Sequence, residues 1–228
     1  MLKEIFDLFR KDNPLQQAFE RSREMLRHDR EMFDEAVLSL RQRDDARIAI
    51  DVYAKDQMIN AYEREVRRKV FTHLTVAGEK DLNAGLVLIS VIGDIERIGD
   101  YAKNIVELAV HHPQKLHCGA FESEVVKMET AVKTMFQLLL ESLPDNDEAK
   151  AREVMSEHWW ISRKADAMVN AMLQPSAPEV AVREAVATAL YVRYLKRVSA
   201  HLKNVASSVV NPFDRIGYRV ERAGSDED

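Results

Sequence analysis

Apolar residues return every three, four or seven positions through most of this chain, in six long runs separated by short polar or proline-bearing stretches. That period belongs to helices that bury one stripe and wet the other. The first run, from Pro14 to Arg43, carries Phe19, Leu26, Phe33, Val37 and Leu40 on its stripe. Asn13 supplies a cap there, and Pro14 a favoured first-turn residue. The second run covers about 45–73, with Ile48, Val52, Ile59, Tyr62, Val66 and Val70 inward, and the third runs from about Lys80 to His111, before Pro113. The fourth spans Ala120 to Ser142 and stops at Pro144. The fifth spans Asp147 to Leu173 and stops at Pro175, with Asp145, Asp147 and Glu148 at its start, where the helix dipole favours acids. The sixth opens at Ser176 and ends at Val210, before Pro212.

Runs of about 30 residues make rods of roughly 45 Å, and short connections force neighbouring rods to lie antiparallel. The expected fold is all-α, with no sheet. The string Glu96-Arg-Ile-Gly-Asp-Tyr-Ala-Lys-Asn104 aligns with Lys196-Arg-Val-Ser-Ala-His-Leu-Lys-Asn204 at an offset of 100 residues. Each string lies on the third helix of a set of three, so the chain reads as two similar antiparallel three-helix bundles, 14–113 and 119–211. Residues 1–13 form a short amphipathic segment with Leu2, Ile5, Phe6 and Phe9 on one face, expected to cap one end of the bundle. Residues 212–228 form a polar tail expected to be disordered.

Composition narrows the function. Charged residues make up 31% of the chain and hydrophobic residues 46%, with only 7 Gly and 6 Pro, as long helices with one wet face require. The net charge of −5 lacks the basic excess of a dedicated nucleic-acid binder. Cys118 is the single cysteine, which excludes an internal disulfide and suits a reducing compartment. The N-terminus lacks the apolar core of a signal peptide, and the strongest apolar stretch, Gly85 to Gly93, is far short of a membrane span, so a cytoplasmic location is expected. Nucleophile elbow, phosphate-cradling glycine loop, dinucleotide fingerprint and His-Glu-x-x-His motif are all absent. His111 and His112 are expected on an exposed loop, Trp159 and Trp160 in packing roles, and Arg67-Arg68-Lys69 on a solvated face.

The one constellation with chemical promise is Asp94-Ile-Glu96-Arg-Ile-Gly-Asp100. Glu96 and Asp100, four apart, lie on one helical face and repel unless a positive group sits between them. That group is an arginine, a lysine or a metal ion; Arg64, Arg97 and Lys103 are the side chains in reach. Gly99, costly in mid-helix, marks a close approach by another helix or a ligand. Counting outward from a turn near Gly78 brings Asp56 and Asn60 to the height of Glu96 and Asp100. The same arithmetic sets His158 and Ser162 opposite Lys196 and Ala200.

Glu96-Arg97-Ile98-Gly99-Asp100 followed by Lys103-Asn104-Ile105 resembles the signature of the PhoU family of phosphate-homeostasis regulators, and Asp56-x-x-x-Asn60 with Glu63-x-Glu65 resembles that family's acidic second helix. The resemblance runs from about Leu15 to Val210. It implies a fold of two three-helix bundles, often dimeric, and a non-enzymatic role regulating phosphate uptake through a membrane transporter or sensor kinase, with a place at the inner face of the membrane. It also implies a divalent or trivalent metal ion, with iron, manganese, zinc and magnesium all open, on Glu96 and Asp100 with Asp56 nearby. Asn60, Asn104 and Asp94 would stand behind these ligands. In the second repeat Lys196 and Ala200 replace the acids and His158 replaces Asp56, so a second metal site is expected to be lost. A helical-bundle metalloenzyme and a metal-free structural adaptor are the rival functions; the long helices carry no Glu-x-x-His pair of the kind bundle metalloenzymes use.

Overall fold

The computed structural model describes residues 13–174 and 181–219. Six long helices make up almost all of this: α1 (Pro14–Gln42), α2 (Val52–Ala77), α3 (Leu82–His111), α4 (Glu122–Asp145), α5 (Glu148–Leu173) and α6 (Val182–Val210). Single 3-10 turns precede α3 and α4 and follow α6. No strand occurs among the described residues.

Local chemistry sets the ends. The Asn13 side chain accepts from the Gln16 backbone amide at 2.8 Å, with Pro14 in the first turn of α1. Asp147 accepts from the amides of Ala149 and Lys150 at 3.0 and 3.1 Å and so caps α5. Asn146, left-handed at φ 54°, closes α4. Two boundaries depart from the periodicity. The second helix begins at Val52, not at residue 45: Ala46 is left-handed at φ 50°, Asp45 accepts from the Arg47 amide, and Asp51 caps α2 by accepting from the Ala54 amide at 2.9 Å. These turn-forming acids compete with helix for the same backbone groups. Pro144 lies inside the last turn of α4 instead of ending it.

The core is a single apolar mass fed by all six helices. Phe33, Phe136, Met25, Leu26, Ile92, Ile98 and Tyr191 are completely enclosed, and each such large apolar side chain contributes about 1.5–3 kcal/mol by leaving water. Within each repeat the three helices pack on one another; between repeats α1 meets α4 and α3 meets α6. Both inter-repeat pairs run antiparallel. Phe33 faces Phe136 at 5.5 Å between ring centres, and Arg41 reaches Glu129 at 2.7 Å. On the other seam Asp94 meets His201 while Tyr101 meets Tyr194.

The connection between repeats is tied down. The Leu116 amide donates to the Leu40 carbonyl at 2.9 Å, and Leu116 and Cys118 are buried. His112 is buried as well, against the exposed loop expected for it, with Nδ1 2.9 Å from the Gln114 carbonyl. His111 is the last residue of α3. The expectation of disorder from residue 212 fails over 212–219: Asn211 donates from its amide to the carbonyls of Arg215 and Tyr218, Ile216 packs on the core, and Lys203 donates to the Gly217 carbonyl. The 1–12 segment, the opening of the sixth run at Ser176 and the last residues of the tail lie outside the described residues.

Candidate metal centre

The acidic site sits in the middle of the first repeat, where α1, α2 and α3 cross. Asp56 on α2 and Asp100 on α3 come to the same height, joined by Lys103, whose Nζ donates to Asp56 at 2.8 Å and to Asp100 at 3.1 Å. A lysine therefore holds the space between these carboxylates. Burial works against its charge, but the two aspartates keep its pKa above the ordinary lysine value. Asn60 and Asn104 are half-buried on the same two helices.

Asp29 of α1 completes the arrangement, and sequence reasoning missed it. It is 0% exposed, and neither carboxylate oxygen has a hydrogen-bond partner. Burial, then the neighbouring Glu96, Asp100 and Asp56, push its pKa well above the usual carboxylate range. Glu96 is raised too, by burial and then by Asp100 and Glu63, with Arg97 opposing. A carboxyl so placed favours the protonated form or a nearby cation. The signal was present in the sequence: on α1 Asp29 falls between Met25, Leu26, Met32 and Phe33, where helical spacing calls for an apolar residue. Gly99 is the close approach expected of it. A Cβ there would stand 2.7 Å from Asp29 Oδ1 and 3.2 Å from Ile59 Cδ1.

Among the described residues no three carboxylate, imidazole or thiol side chains are drawn together as a bound metal would hold them. The donor chemistry nevertheless fits a hard cation: four carboxylates from three helices, one of them buried with both oxygens unsatisfied. A buried orphan of that kind costs about 1–3 kcal/mol unless something meets it. An ion there would displace the Lys103 ammonium from Asp56 and Asp100.

Asp94, expected behind this site, instead turns to the other repeat. Its Oδ1 lies 2.7 Å from His201 Nδ1 and accepts from the Asn204 side-chain amide at 2.8 Å. Tyr101 stacks on His201 with ring centres 5.7 Å apart, and its hydroxyl accepts from Arg197 Nε at 3.1 Å.

The equivalent place in the second repeat has the opposite sign. Lys196 is paired with Asp166 through both carboxylate oxygens, at 2.7 and 2.6 Å. His158 is buried, with Nδ1 3.0 Å from Ser199 Oγ. Burial, with Lys203, Lys196 and His201 around it, pulls the His158 pKa down to about 4. Ala200 brings no donor. Lys203, the counterpart of Lys103, is buried, faces the Trp159 ring at 5.5 Å and donates to the Gly217 carbonyl instead of to acids. Burial lowers its pKa, with only Asp94 opposing.

A family model described as the PhoU domain matches residues 22–109 and again 125–209. Over 173 residues the chain is 22% identical to the phosphate-specific transport system accessory protein PhoU homolog of Clostridium acetobutylicum, a match covering 74% of this chain and 78% of that protein. The crystal structure of PhoU from Pseudomonas aeruginosa superposes with a TM-score of 0.74 at 22% identity, covering 86% of this chain and 95% of that one. The crystal structure of the phosphate transport system regulatory protein PhoU from Streptococcus pneumoniae gives the same TM-score at 18% identity, covering 86% and 93%. At these identities the structural likeness is one of fold.

Proposed function

This chain belongs to the PhoU family, and on that premise we propose that it is a non-enzymatic accessory protein that regulates phosphate transport by docking its helical faces on a membrane transporter or a membrane sensor kinase. The observation that carries the reading is the family match to both repeats in turn, spanning well over half of the chain. The name of the Clostridium acetobutylicum relative supplies the transport system. No described helix is long and apolar enough to cross a membrane. We place the protein in the cytoplasm, as a homodimer.

The first-repeat site is read as a single metal centre. Asp29, Asp56, Glu96 and Asp100 would hold the ion, with Asn60 and Asn104 at its margin. A bound divalent or trivalent cation would supply the positive charge this crossing lacks. The chain's own part is to gather carboxylates from three helices, so that occupancy ties α1, α2 and α3 together. Lys103 guards the site when it is empty of metal by neutralising Asp56 and Asp100.

Deleting the gene tests the regulatory role: phosphate uptake, polyphosphate or phosphate-responsive transcripts should change. If all three are the same as in the parent strain at low and at high phosphate, the role is wrong. Elemental analysis of protein purified without chelators tests the site separately, with about one metal equivalent or small cluster per chain expected, not two.

A further inference from the structure

We propose that the N-terminal segment, residues 2–9, seats its apolar face in a crevice at the end of the seam between the repeats. Leu15 and Phe19 of α1, Val87 and Val91 of α3, Leu143 of α4 and Val209 of α6 line this crevice, so it touches both repeats at the end where α1 begins. Its surface is almost entirely apolar, and water gains nothing by filling it.

Three observations name the occupant. The first is where the chain ends: the described structure begins at Asn13, and Leu15, two residues on, already lines the crevice. Asn13 is extended, at φ −115° and ψ 160°, so the helical backbone of α1 starts after it.

The second is pattern and length. Leu2, Ile5, Phe6 and Phe9 recur at helical spacing and form one stripe. Residues 2–12 as a helix measure about 16 Å, and the crevice follows α3 from Ala84 to Ile95, also about 16 Å.

The third is polar. Gln16 and Arg23 both line the crevice, and Gln16 Oε1 and Arg23 Nε are buried without a hydrogen-bond partner. Nη1 of Arg23 is already held by Glu20 at 2.8 Å, which leaves Nε for a second carboxylate. Asp7 stands beside Phe6 on the segment, and Lys3 offers a donor to Gln16. A bare lipid surface would satisfy the apolar stripe but leave both orphaned atoms as they are, so the intramolecular seat is favoured. The consequence is a clasp across the two repeats at the end away from the tethered 112–121 connection.

The test uses the full chain. Cys118 is buried, so a spin label on Glu4→Cys, off the apolar stripe, reports the segment alone. Methyl resonances of Val87, Val91 and Val209 should broaden, equally at low and high protein concentration. Hydrogen exchange supplies the second measurement: amides of residues 84–95 should exchange at least ~10-fold faster in Phe6→Asp/Phe9→Asp than in the parent, since the protection there includes local opening of the end. Unbroadened methyls overturn the proposal. So does broadening that appears only at high concentration, which would mean a second copy of the chain is the acceptor. Exchange in 84–95 that ignores the double substitution, while the parent floats with phosphatidylglycerol vesicles, overturns it in favour of the membrane.

Discussion

Asp29 and Gly99 are in mutual contact across the α1–α3 crossing: a single added carbon on Gly99 would meet the Asp29 carboxylate at 2.7 Å. The carboxylate enters the core because its neighbour has no side chain, and α1 and α3 can then cross closely enough to enclose it. Gly99→Ala is therefore expected to destabilise the protein. The helix regains about 1 kcal/mol from propensity, but the overlap costs about 1–3 kcal/mol, for a net loss of up to about 2 kcal/mol in urea unfolding. Asp29→Ala in the same chain should return most of it, a coupling that a double-mutant cycle reads directly.

Asp29→Asn separates charge from shape. The raised pKa of Asp29 means that the folded state keeps a proton which the unfolded chain releases near pH 4. The folded state then binds more protons, and metal-free stability falls as pH rises from about 4 through the folded-state pKa. A side-chain amide does not titrate, so the variant should lose that slope. Its advantage over the parent should grow to about 1–3 kcal/mol at pH 8. Urea unfolding in chelator from pH 5 to 9 checks this; parallel curves for parent and variant would put the carboxylate elsewhere than in the core.

His158 carries the opposite dependence. Its pKa, lowered from 6.5 to about 4, means that the unfolded chain takes up a proton that the folded state refuses. The contribution is present above pH 6.5 and lost as pH falls toward 4, to a limit of about 3 kcal/mol. His158→Gln should flatten that acid-side loss, measured by chemical denaturation between pH 7 and 4.5.

Metal content should track the two repeats unequally. Glu96→Gln with Asp100→Asn should abolish bound metal with helicity intact, and Lys196→Ala should leave it unchanged, since that lysine answers Asp166. Lys103→Met removes the resident ammonium and should tighten divalent binding by up to about tenfold, the ~1.4 kcal/mol that displacing two partly exposed ion pairs, to Asp56 and Asp100, represents. Titration calorimetry reads the affinity, and weaker binding in Lys103→Met would show that the lysine assists the ion instead of competing with it.

The helical period and the offset of 100 residues made the architecture legible, because burial on one face of a rod is written directly into spacing. Boundaries were less so. Asp45 and Asp51 choose turns by accepting backbone amides on their side chains, and Asn146 by taking the left-handed backbone, choices that periodicity does not register. Glu96, Asp100 and Asp56 could be placed at one height by counting from a turn. Asp29 could not, because it belongs to a helix whose register against α3 no turn fixes, although its position inside an apolar stripe was visible. Asp94 was assigned to the wrong side for a related reason: two residues before Glu96 on a helix is a rotation of about 200°, which points it at α6. The buried His112 is held by the Gln114 carbonyl two residues on, and the 211–219 stretch by individual hydrogen bonds of Asn211, Ser207 and Lys203; contacts of this kind follow no period that spacing can reveal.

The antiparallel seam, with Asp94 of one repeat bound to His201 and Asn204 of the other, bears on how such a protein can evolve. If each repeat were a separate chain pairing with its twin, every substitution would appear twice, and a lysine arriving at the Glu96 position would strike both sites together. Joined in one polypeptide, the halves inherit changes independently while the shared seam keeps them folded as a unit. One half is free to surrender its acids and acquire an inward-facing imidazole and ammonium, and the other keeps its carboxylates. The molecule then has a front and a back: a symmetric partner that grasps both halves must meet two different faces.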